Sequence, residues 1–379
     1  MLSIFLLRFM ALPVAICTPG QYPLQRVLGK YFDVQRERQH SREHTSSLCM
    51  VKLHSTQPKQ ANYKVHRALI DGATTLELDN GITKDGHVVV WHDKNIVAEK
   101  CQDTRPAFEE DPEFPYVGKY IANLTLAQLQ TLDCGSKRQI NLPLQSIYPG
   151  VRISTLGELF SFVECADPQY HIRWNIESKI NPVHENQTRS PQDFVSKQHE
   201  IFVNSPYLPE LRLEDIDSHE ITLDRSIPTS ALVDLETVST SDNKTSPWLA
   251  GIRLDDFAGE MEIQIASAAH SIGADILSPA DIASDPTLPD YIPFTNRSMV
   301  DYAHHLGMLV KPWTVNHLSI VEQMLDWNVD GLITDYPNIE ECPHLVFKPN
   351  LTEHLKKRVL ECLNQHLKKV TPLMGVSTV

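Results

Sequence analysis

The chain has 379 residues, 41% of them hydrophobic and 22% charged. This length and composition can fill the core of one large domain or two ordinary ones, and they exclude a chain that is disordered throughout. The 48 acidic and 34 basic residues give a formal net charge of -14, which excludes a general nucleic-acid binder and a protein held on anionic lipid by its whole surface. Any substrate that carries a phosphate must be attracted locally, most simply by a metal ion.

The N-terminal stretch MLSIFLLRFMALPVAIC is apolar and ends in small residues at the spacing that signal peptidase reads. We therefore predict a signal peptide over residues 1–17 and a secreted protein; the alternative is a buried N-terminal helix. The apolar run is too short to span a bilayer, and Arg8 interrupts it, so we expect no stable membrane insertion.

Two further features agree with secretion. Five triplets have the pattern of N-glycosylation sites, at Asn123, Asn186, Asn243, Asn296 and Asn350. The chain has seven cysteines, and six remain if Cys17 leaves with the signal peptide. An oxidising compartment permits disulfides, and we favour a bond between Cys101 and Cys134, with buried free thiols as the alternative.

Short β-rich runs alternate with helical or loop stretches along the rest of the chain. The runs are TTLELD, HVVVWHD, HIRWNIES, TSALVDL, WLAGIRL, ADILSP, MLVKPWTVN and DGLITDYP. Strands that are separated by long connections pair in parallel through crossover helices. About eight such strands predict a TIM (β/α)₈ barrel over residues 30–345, and the lack of a GxGxxG or phosphate-loop motif disfavours an open doubly wound sheet.

The last part of the chain, residues 346–379, is predicted to form an amphipathic helix and a tail. Its apolar face consists of Leu351, Leu355, Val359, Cys362, Leu363 and Leu367, with lysine pairs opposite. We interpret this face as one that docks on the barrel; a helix that lies on a membrane surface is the alternative.

The stretch ELDNGITKDGHVVVWHD, residues 77–93, contains the first candidate site residues. A strand points alternate side chains to one face, so Glu77 and Asp79 lie side by side, and their repulsion needs a compensating charge. Asp85-Gly86 predicts a sharp turn before the strand that leads to His92. Because active groups of barrels lie at the carboxyl ends of the strands, this strand end is a candidate active site.

A later strand, HIRWNIESK, adds Glu177 and Lys179 at its carboxyl end. The carboxylates Glu77, Asp79 and Glu177 are oxygen donors without neighbouring cysteine or histidine ligands, which favours Mg²⁺ or Ca²⁺ over zinc. His92 can transfer protons near neutral pH, and Lys179 offers a positive charge to a phosphate oxygen.

Four motifs, ELDNGITKDGHVVVWHD, WNIESK, PWTVN and DGLITDYP, resemble the glycerophosphodiester phosphodiesterase family, in particular its secreted fungal-type members, over roughly residues 30–340. The resemblance implies a TIM barrel that hydrolyses small-molecule glycerophosphodiesters to glycerol phosphate and an alcohol. It also implies roles for six residues: Glu77, Asp79 and Glu177 as ligands of a divalent cation, His92 as one of two acid/base histidines, Lys179 as a substrate contact and Trp313 at the mouth that holds the head group. It does not indicate an oligomeric state.

The chain departs from this family in its first strand, which in family members ends in His-Arg-Gly and is followed by Glu-Asn-Thr. YFDVQ, residues 31–35, resembles the start of that strand, but a basic stretch, residues 36–68, stands where the motifs are expected. We therefore expect an insert, an altered first strand and reduced activity. His66-Arg67 could replace the lost pair, although a solvated helix face is the alternative interpretation. A second departure lies near ITLDRSIPTSALVDL, where the family has a further strand before the Ala-Leu-Val strand and this chain has none that is recognisable.

Two other functions are compatible with these motifs. A phospholipase D-like, sphingomyelin-cleaving enzyme resembles the same barrel, but Glu177 in NIESK favours the glycerophosphodiesterase. The second alternative is a catalytically inactive barrel that binds a phosphodiester, which the missing His-Arg-Gly motif favours and the intact acidic residues disfavour.

Overall fold

The computed structural model describes residues 48–53, 65–71, 73, 75–139, 147–169, 172–205, 230–238, 246, 252–283, 292–336 and 353–370. The strands are β1 Leu48–Leu53, β2 Thr75–Ile82, β3 Val88–Val90, β4 Arg173–Ser178, β5 Ser230–Val233, β6 Ile276–Pro279, β7 Leu309–Val310 and β8 Gly331–Thr334. The helices are α1 at 65–70, α2 Leu126–Leu129, α3 Leu156–Ala166, α4 Pro191–Val203, α5 Leu235–Val238, α6 Met261–Ser271, α7 Arg297–His305, α8 Leu318–Asp326 and α9 Glu353–Val370.

Parallel strands form the wall of a barrel. β4 pairs with β2, β2 with β1 and β1 with β8, while β5, β6 and β7 form the other part of the wall. Backbone hydrogen bonds join the β7 and β8 sides, from Ile333 N to Pro312 O at 3.0 Å and from Val315 N to Ile333 O at 2.8 Å. Within the described ranges no strand is paired between β4 and β5. The strand order and the alternation with helices confirm the predicted TIM barrel.

The first strand of the barrel differs from the prediction. β1 lies within the stretch 36–68, and its register places Met50 opposite Thr75 of β2 and opposite Ile333 of β8. The prediction that this whole stretch is an insert is therefore wrong. Residues 31–35, the predicted start of the first strand, lie outside the described residues. Pairing with two neighbouring strands, rather than local composition, makes LCMVKL a strand.

Two other predicted strands also differ from expectation. β3 pairs antiparallel with β2 as a hairpin and is not part of the parallel barrel wall. The hairpin turn contains Gly86 with a φ of 83°, a conformation that glycine adopts without strain, as the Asp85-Gly86 pair predicts. The run WLAGIRL is wrong as a strand in its described part, residues 252–254: Ile252 and Arg253 are not in a strand, and Leu254 begins the 3₁₀ turn Leu254–Asp256.

Capping residues fix where the barrel helices begin. Thr155 accepts a hydrogen bond from Glu158 N at 3.1 Å, and the Glu158 carboxylate accepts one from Thr155 N at 2.9 Å, a capping box that starts α3. Ser190 and Asp193 form the same arrangement at α4. Asn296 accepts from Met299 N at 2.9 Å at the start of α7. These local signals fix the first residues of the three helices.

The segment that follows β3 forms a small unit with its own apolar core. We call residues 91–139 the cap segment. Its core also includes Val89 of β3 and Ile153, and the buried residues that the cap segment contributes are Trp91, Ile96, Cys101, Tyr116, Ile121, Leu124, Leu129, Leu132 and Cys134. Cys101 and Cys134 form a disulfide of 2.06 Å, which confirms the favoured pairing. Backbone hydrogen bonds between Gln102 and Asp133 accompany it.

The C-terminal helix α9 docks on the barrel. Its residues Val359, Cys362 and Leu363 are buried in the core cluster that also contains the apolar face of α3. Cys362 forms a disulfide with Cys165, and Arg358 donates to Cys165 O at 2.9 Å. In the part of the chain that the structure describes, no helix combines the length and the apolar character that crossing a membrane requires.

Removal of the Cys165–Cys362 disulfide is expected to lower the free energy of unfolding by about 2–5 kcal/mol, because this bond closes a loop of 197 residues and restricts the unfolded chain. Urea denaturation of the double variant Cys165→Ala/Cys362→Ala, compared with the oxidised parent, measures the loss. A denaturation midpoint equal to that of the parent would contradict a stabilising bond between these two cysteines.

Candidate active site

Two adjacent strands bring three carboxylates together. Glu77 and Asp79 lie on the inner face of β2, while the alternating residues Leu76 and Leu78 pack in the outer core. The register of β4 places Glu177 opposite Asp79. Carboxylate oxygens of the three acidic residues lie within 4.8 Å of one another. Glu77 and Asp79 are 3% and 0% exposed, so most of this charge is removed from water.

Lys179 lies against the acidic cluster. Its Nζ is 3.0 Å from Asp79 Oδ1 and 2.5 Å from Glu177 Oε1. Burial alone would lower the pKa of Lys179, but attraction by Asp79 and Glu177 outweighs it and raises the pKa above the ordinary range. The lysine is therefore charged, and these four side chains together have a formal excess of two negative charges. An all-oxygen donor set with this excess fits a hard divalent cation.

Buried amides hold the two acidic strands in register from outside the barrel. Asn80 Nδ2 donates to Glu177 O at 2.9 Å. Gln198 on α4 donates to Asn80 Oδ1 at 2.9 Å and to Ser178 Oγ at 2.8 Å. Because Asn80 and Ser178 adjoin Asp79 and Glu177 in sequence, these bonds fix the backbone that carries the carboxylates. The sequence pattern does not reveal this network, since its partners are distant along the chain.

His92 follows β3 and is oriented by the next residue. Its Nδ1 is 3.1 Å from Asp93 Oδ1, and Lys100 Nζ forms an ion pair with Asp93 Oδ2. Burial would raise the pKa of Asp93, but hydrogen bonds from His92 and Lys100 outweigh it and keep the pKa below the ordinary value. An ionised carboxylate can only accept, so the imidazole Nδ1 carries the proton in this hydrogen bond.

A cavity of about 710 Å³ connects these groups. His92, Glu177, Lys179 and Trp313 line it. The indole Nε1 of Trp313 donates to Ser278 O at 2.7 Å, which fixes the ring on the cavity wall. The structure thus places Glu77, Asp79, Glu177 and Lys179 in one cluster, and places His92 and Trp313 on the same cavity.

Other polar groups of the barrel were not given a role from the sequence. Lys311 is buried, and burial lowers its pKa to about 8, although the nearby charge of Asp330 acts in the opposite direction. Asn316 Nδ2 donates to Asp335 Oδ2 at 2.8 Å at the carboxyl end of β8. The strand-end positions of Asn316 and Asp335 were the only sequence signal for these groups.

The pair His66-Arg67 does not resemble a replacement for a catalytic motif. Both residues lie on α1, and Arg67 Nε donates to Asp71 Oδ2 at 2.7 Å on an exposed part of that helix. α1 ends five residues before Thr75, the first residue of β2, whereas the acidic cluster lies farther along β2. Arg67 therefore fits the alternative interpretation, an exposed helix face, while His66 beside it is half-buried.

Comparison with known proteins gives one consistent family. The sequence profile of the glycerophosphoryl diester phosphodiesterase family matches residues 64–339. A glycerophosphodiester phosphodiesterase from Bacillus subtilis (strain 168) is 24% identical over 271 residues, which cover 70% of this chain and 75% of that protein. One from Caldanaerobacter subterraneus subsp. tengcongensis is 23% identical over 274 residues, 72% of this chain and 86% of that protein.

The structural comparison supports the fold. A solved structure from Silicibacter pomeroyi DSS-3, assigned as a glycerophosphoryl diester phosphodiesterase, superposes with a TM-score of 0.54 at 20% identity. The superposition covers 87% of this chain and 97% of that chain. At this level of identity the similarity shows a shared barrel fold.

Proposed function

The chain belongs to the glycerophosphoryl diester phosphodiesterase family, whose profile covers residues 64–339, and from this premise we propose that it hydrolyses glycerophosphodiesters to glycerol phosphate and an alcohol with the help of a divalent cation. One observation carries the proposal: carboxylate oxygens from Glu77, Asp79 and Glu177 lie within 4.8 Å of one another, and Glu177 lines the same cavity as His92.

Glu77, Asp79 and Glu177 would hold the cation, Mg²⁺ or Ca²⁺. Their chemistry fits either ion, because both prefer carboxylate oxygens and neither needs a nitrogen or sulfur ligand. When bound, such a cation neutralises phosphate charge and makes the phosphorus more open to attack. The protein supplies a preformed carboxylate set, which the bonds of Asn80 and Gln198 hold in place.

His92 would transfer the proton between the attacking or leaving oxygen and the enzyme. Asp93 accepts the Nδ1 proton, so Nε2 is the nitrogen that is available for substrate. The family resemblance calls for a second histidine after the first strand. The residue that follows β1 in the sequence is His54, with Ser55-Thr56 in place of Arg-Gly, and His54 lies outside the described residues. We propose His54 from its position in the chain as the second acid/base group.

Lys179 would bind a phosphate oxygen of the substrate, and Trp313 would contact the glycerol or the head group. Both line the cavity that His92 borders. Lys179 is charged and only partly enclosed by its two carboxylates, so its ammonium can also donate to an anion in the cavity.

Lys179→Met is expected to raise the KM for glycerophosphocholine by about 10-fold or more, because a charged hydrogen bond to phosphate is worth about 1.5–3 kcal/mol. Cation binding should be no weaker, since an ammonium that shares two of the carboxylates is removed. Steady-state kinetics and calorimetric titration with Mg²⁺ measure the two quantities. Lys197→Met, which alters an exposed ion pair with Glu200 on α4, is the control. Weaker cation binding with an unchanged KM would contradict the role.

We also propose that the protein is secreted. Two disulfides, Cys101–Cys134 and Cys165–Cys362, support an oxidising compartment. The glycosylation triplets at Asn123 and Asn186 are on exposed residues, which is where a glycan can be attached. Mass spectrometry of the protein secreted by its own host, which would locate the mature N-terminus and any glycans, tests this proposal.

Release of glycerol phosphate from glycerophosphocholine tests the activity. We expect turnover that EDTA abolishes and Mg²⁺ or Ca²⁺ restores, and little turnover of sphingomyelin. A preference for sphingomyelin would support the phospholipase D-like alternative. Saturable binding of glycerophosphocholine without turnover, in the presence of either cation, would support the inactive barrel.

A further inference from the structure

We propose that Lys100 is a positioning residue for His92: it holds the two residues that flank this histidine, Trp91 and Asp93, and so sets the direction of the imidazole. The inference rests on the proposed function, in which His92 transfers protons. It gives a role in the reaction to Lys100, a residue of the cap segment that does not line the cavity.

Lys100 contacts both neighbours of His92. Its Nζ pairs with Asp93 Oδ2, while the other carboxylate oxygen of Asp93 faces His92 Nδ1. The same Nζ lies 5.7 Å from the centroid of the Trp91 ring, within the range of a cation–π contact. Trp91 is completely buried, and its indole donates to Asn95 O at 3.1 Å. The lysine side chain is only 12% exposed, so these contacts are largely shielded from water.

The backbone of Lys100 is fixed by the cap segment. Lys100 N donates to Val97 O at 3.1 Å, and Cys101 N donates to the same oxygen at 3.0 Å. The next residue, Cys101, is covalently bound to Cys134. Lys137 Nζ donates to Cys101 O at 3.0 Å. A lysine that is anchored at its backbone can hold Asp93 in one orientation, whereas a lysine on a loose loop could not.

The arrangement has a direct chemical consequence for His92. With Lys100 on Oδ2, the Asp93 carboxylate keeps Oδ1 toward the imidazole and stays ionised, so Nδ1 keeps its proton and Nε2 faces the reaction. Without Lys100, the carboxylate can rotate, and the imidazole loses its preference for one tautomer. Groups that orient a catalytic or ligating histidine from behind typically change activity by about 10- to 100-fold when removed.

The test compares Lys100→Met with two related variants. We expect kcat for glycerophosphocholine to fall about 10- to 100-fold in Lys100→Met, with KM and Mg²⁺ affinity within about twofold of the parent. Lys100→Arg should recover part of kcat, because it keeps the charge and a donor. Lys119→Met is the matched control: it removes another ion pair of the cap segment, with Glu113 at 2.6 Å, and should leave kcat unchanged.

A spectroscopic measurement separates positioning from a general loss of structure. Nitrogen-15 NMR of labelled histidines, with the His92 signals assigned by their loss in His92→Gln, should show the Nδ1-protonated tautomer in the parent and a mixture in Lys100→Met. If Lys100→Met does not fold, Lys100→Gln serves in its place: its amide is uncharged and one atom shorter than the lysine side chain, so it removes the ion pair with Asp93, and kcat should fall as in Lys100→Met.

The inference is overturned if Lys100→Met, or Lys100→Gln in its place, has the kcat of the parent, or if the His92 tautomer is unchanged. Either result, together with inactive Glu77→Gln and His92→Gln, would overturn the role of Lys100 and leave the proposed function standing. Full activity of Glu77→Gln and His92→Gln would instead reject the proposed function itself.

Discussion

Replacement of Glu77 by Gln is expected to reduce cation-dependent hydrolysis of glycerophosphocholine by about 10³-fold or more. The substitution keeps the size of the side chain but removes one of three negative charges that lie within 4.8 Å of one another. Cation catalysis contributes several kcal/mol of transition-state stabilisation, and about 4 kcal/mol corresponds to this factor in rate. Initial rates across a series of Mg²⁺ and Ca²⁺ concentrations measure the loss.

The matched control for Glu77→Gln is Glu236→Gln. Glu236 is an exposed carboxylate on α5 that lines the same cavity but is not part of the acidic cluster. We expect this variant to keep most of the parent activity at every cation concentration. If Glu77→Gln and Glu236→Gln lost activity equally, the loss would come from the total negative charge around the cavity and not from a cation site at Glu77.

Replacement of His92 by Ala is expected to lower kcat by about 10²- to 10⁴-fold, the usual contribution of one general acid or base. Cation affinity should be retained, because His92 is not in the carboxylate cluster. We expect His54→Ala to show a loss of similar size if it is the second acid/base group, and the double variant to lose less than the product of the two effects, since the two groups act in one reaction.

His87→Ala is the control for His92→Ala. His87 lies on the hairpin that precedes His92, and its side chain is largely exposed. Its Nε2 lies 3.8 Å from Asp85 Oδ2, and the proposed reaction gives it no role. Its removal should leave kcat close to that of the parent. A His92→Ala enzyme with parental kcat would contradict the assignment of His92, and a His54→Ala enzyme with parental kcat would contradict only that of His54.

Much of the barrel can be predicted from the sequence because its strands are apolar and its connections are long. TTLELD contains the first five residues of β2, and HIRWNIES and DGLITDYP contain β4 and β8. The strand period also places Glu77 and Asp79 on one face, and the parallel register then brings Glu177 beside them. Convergence of these carboxylates therefore follows from the pattern once the barrel is assumed.

β1 escaped prediction for a physical reason. Its six residues, LCMVKL, are flanked by Lys, Arg and His residues that are typical of a solvated segment. The strand forms because two neighbours, β2 and β8, offer hydrogen-bonding edges on either side. WLAGIRL shows the reverse case: it is apolar enough for a strand, but its described end forms a 3₁₀ turn. Local composition does not report either kind of tertiary influence.

The groups that support the site could not be predicted, because their partners are distant in sequence. Gln198 meets Asn80 across 118 positions, and Cys165 meets Cys362 across 197. Six cysteines allow 15 pairings, so spacing alone does not select this disulfide. Lys100 is one of 34 basic residues and has no motif around it that marks a link to His92. Only the three-dimensional arrangement distinguishes these residues from ordinary surface or core positions.

Calorimetric titration of Mg²⁺ and Ca²⁺ into the parent protein and into Glu77→Gln, Asp79→Asn and Glu177→Gln most directly tests the central claim. If these three side chains from two neighbouring strands bind one shared ion, the parent should bind one equivalent, and each variant should bind far more weakly. Equal affinity in the parent and in all three variants would contradict the account.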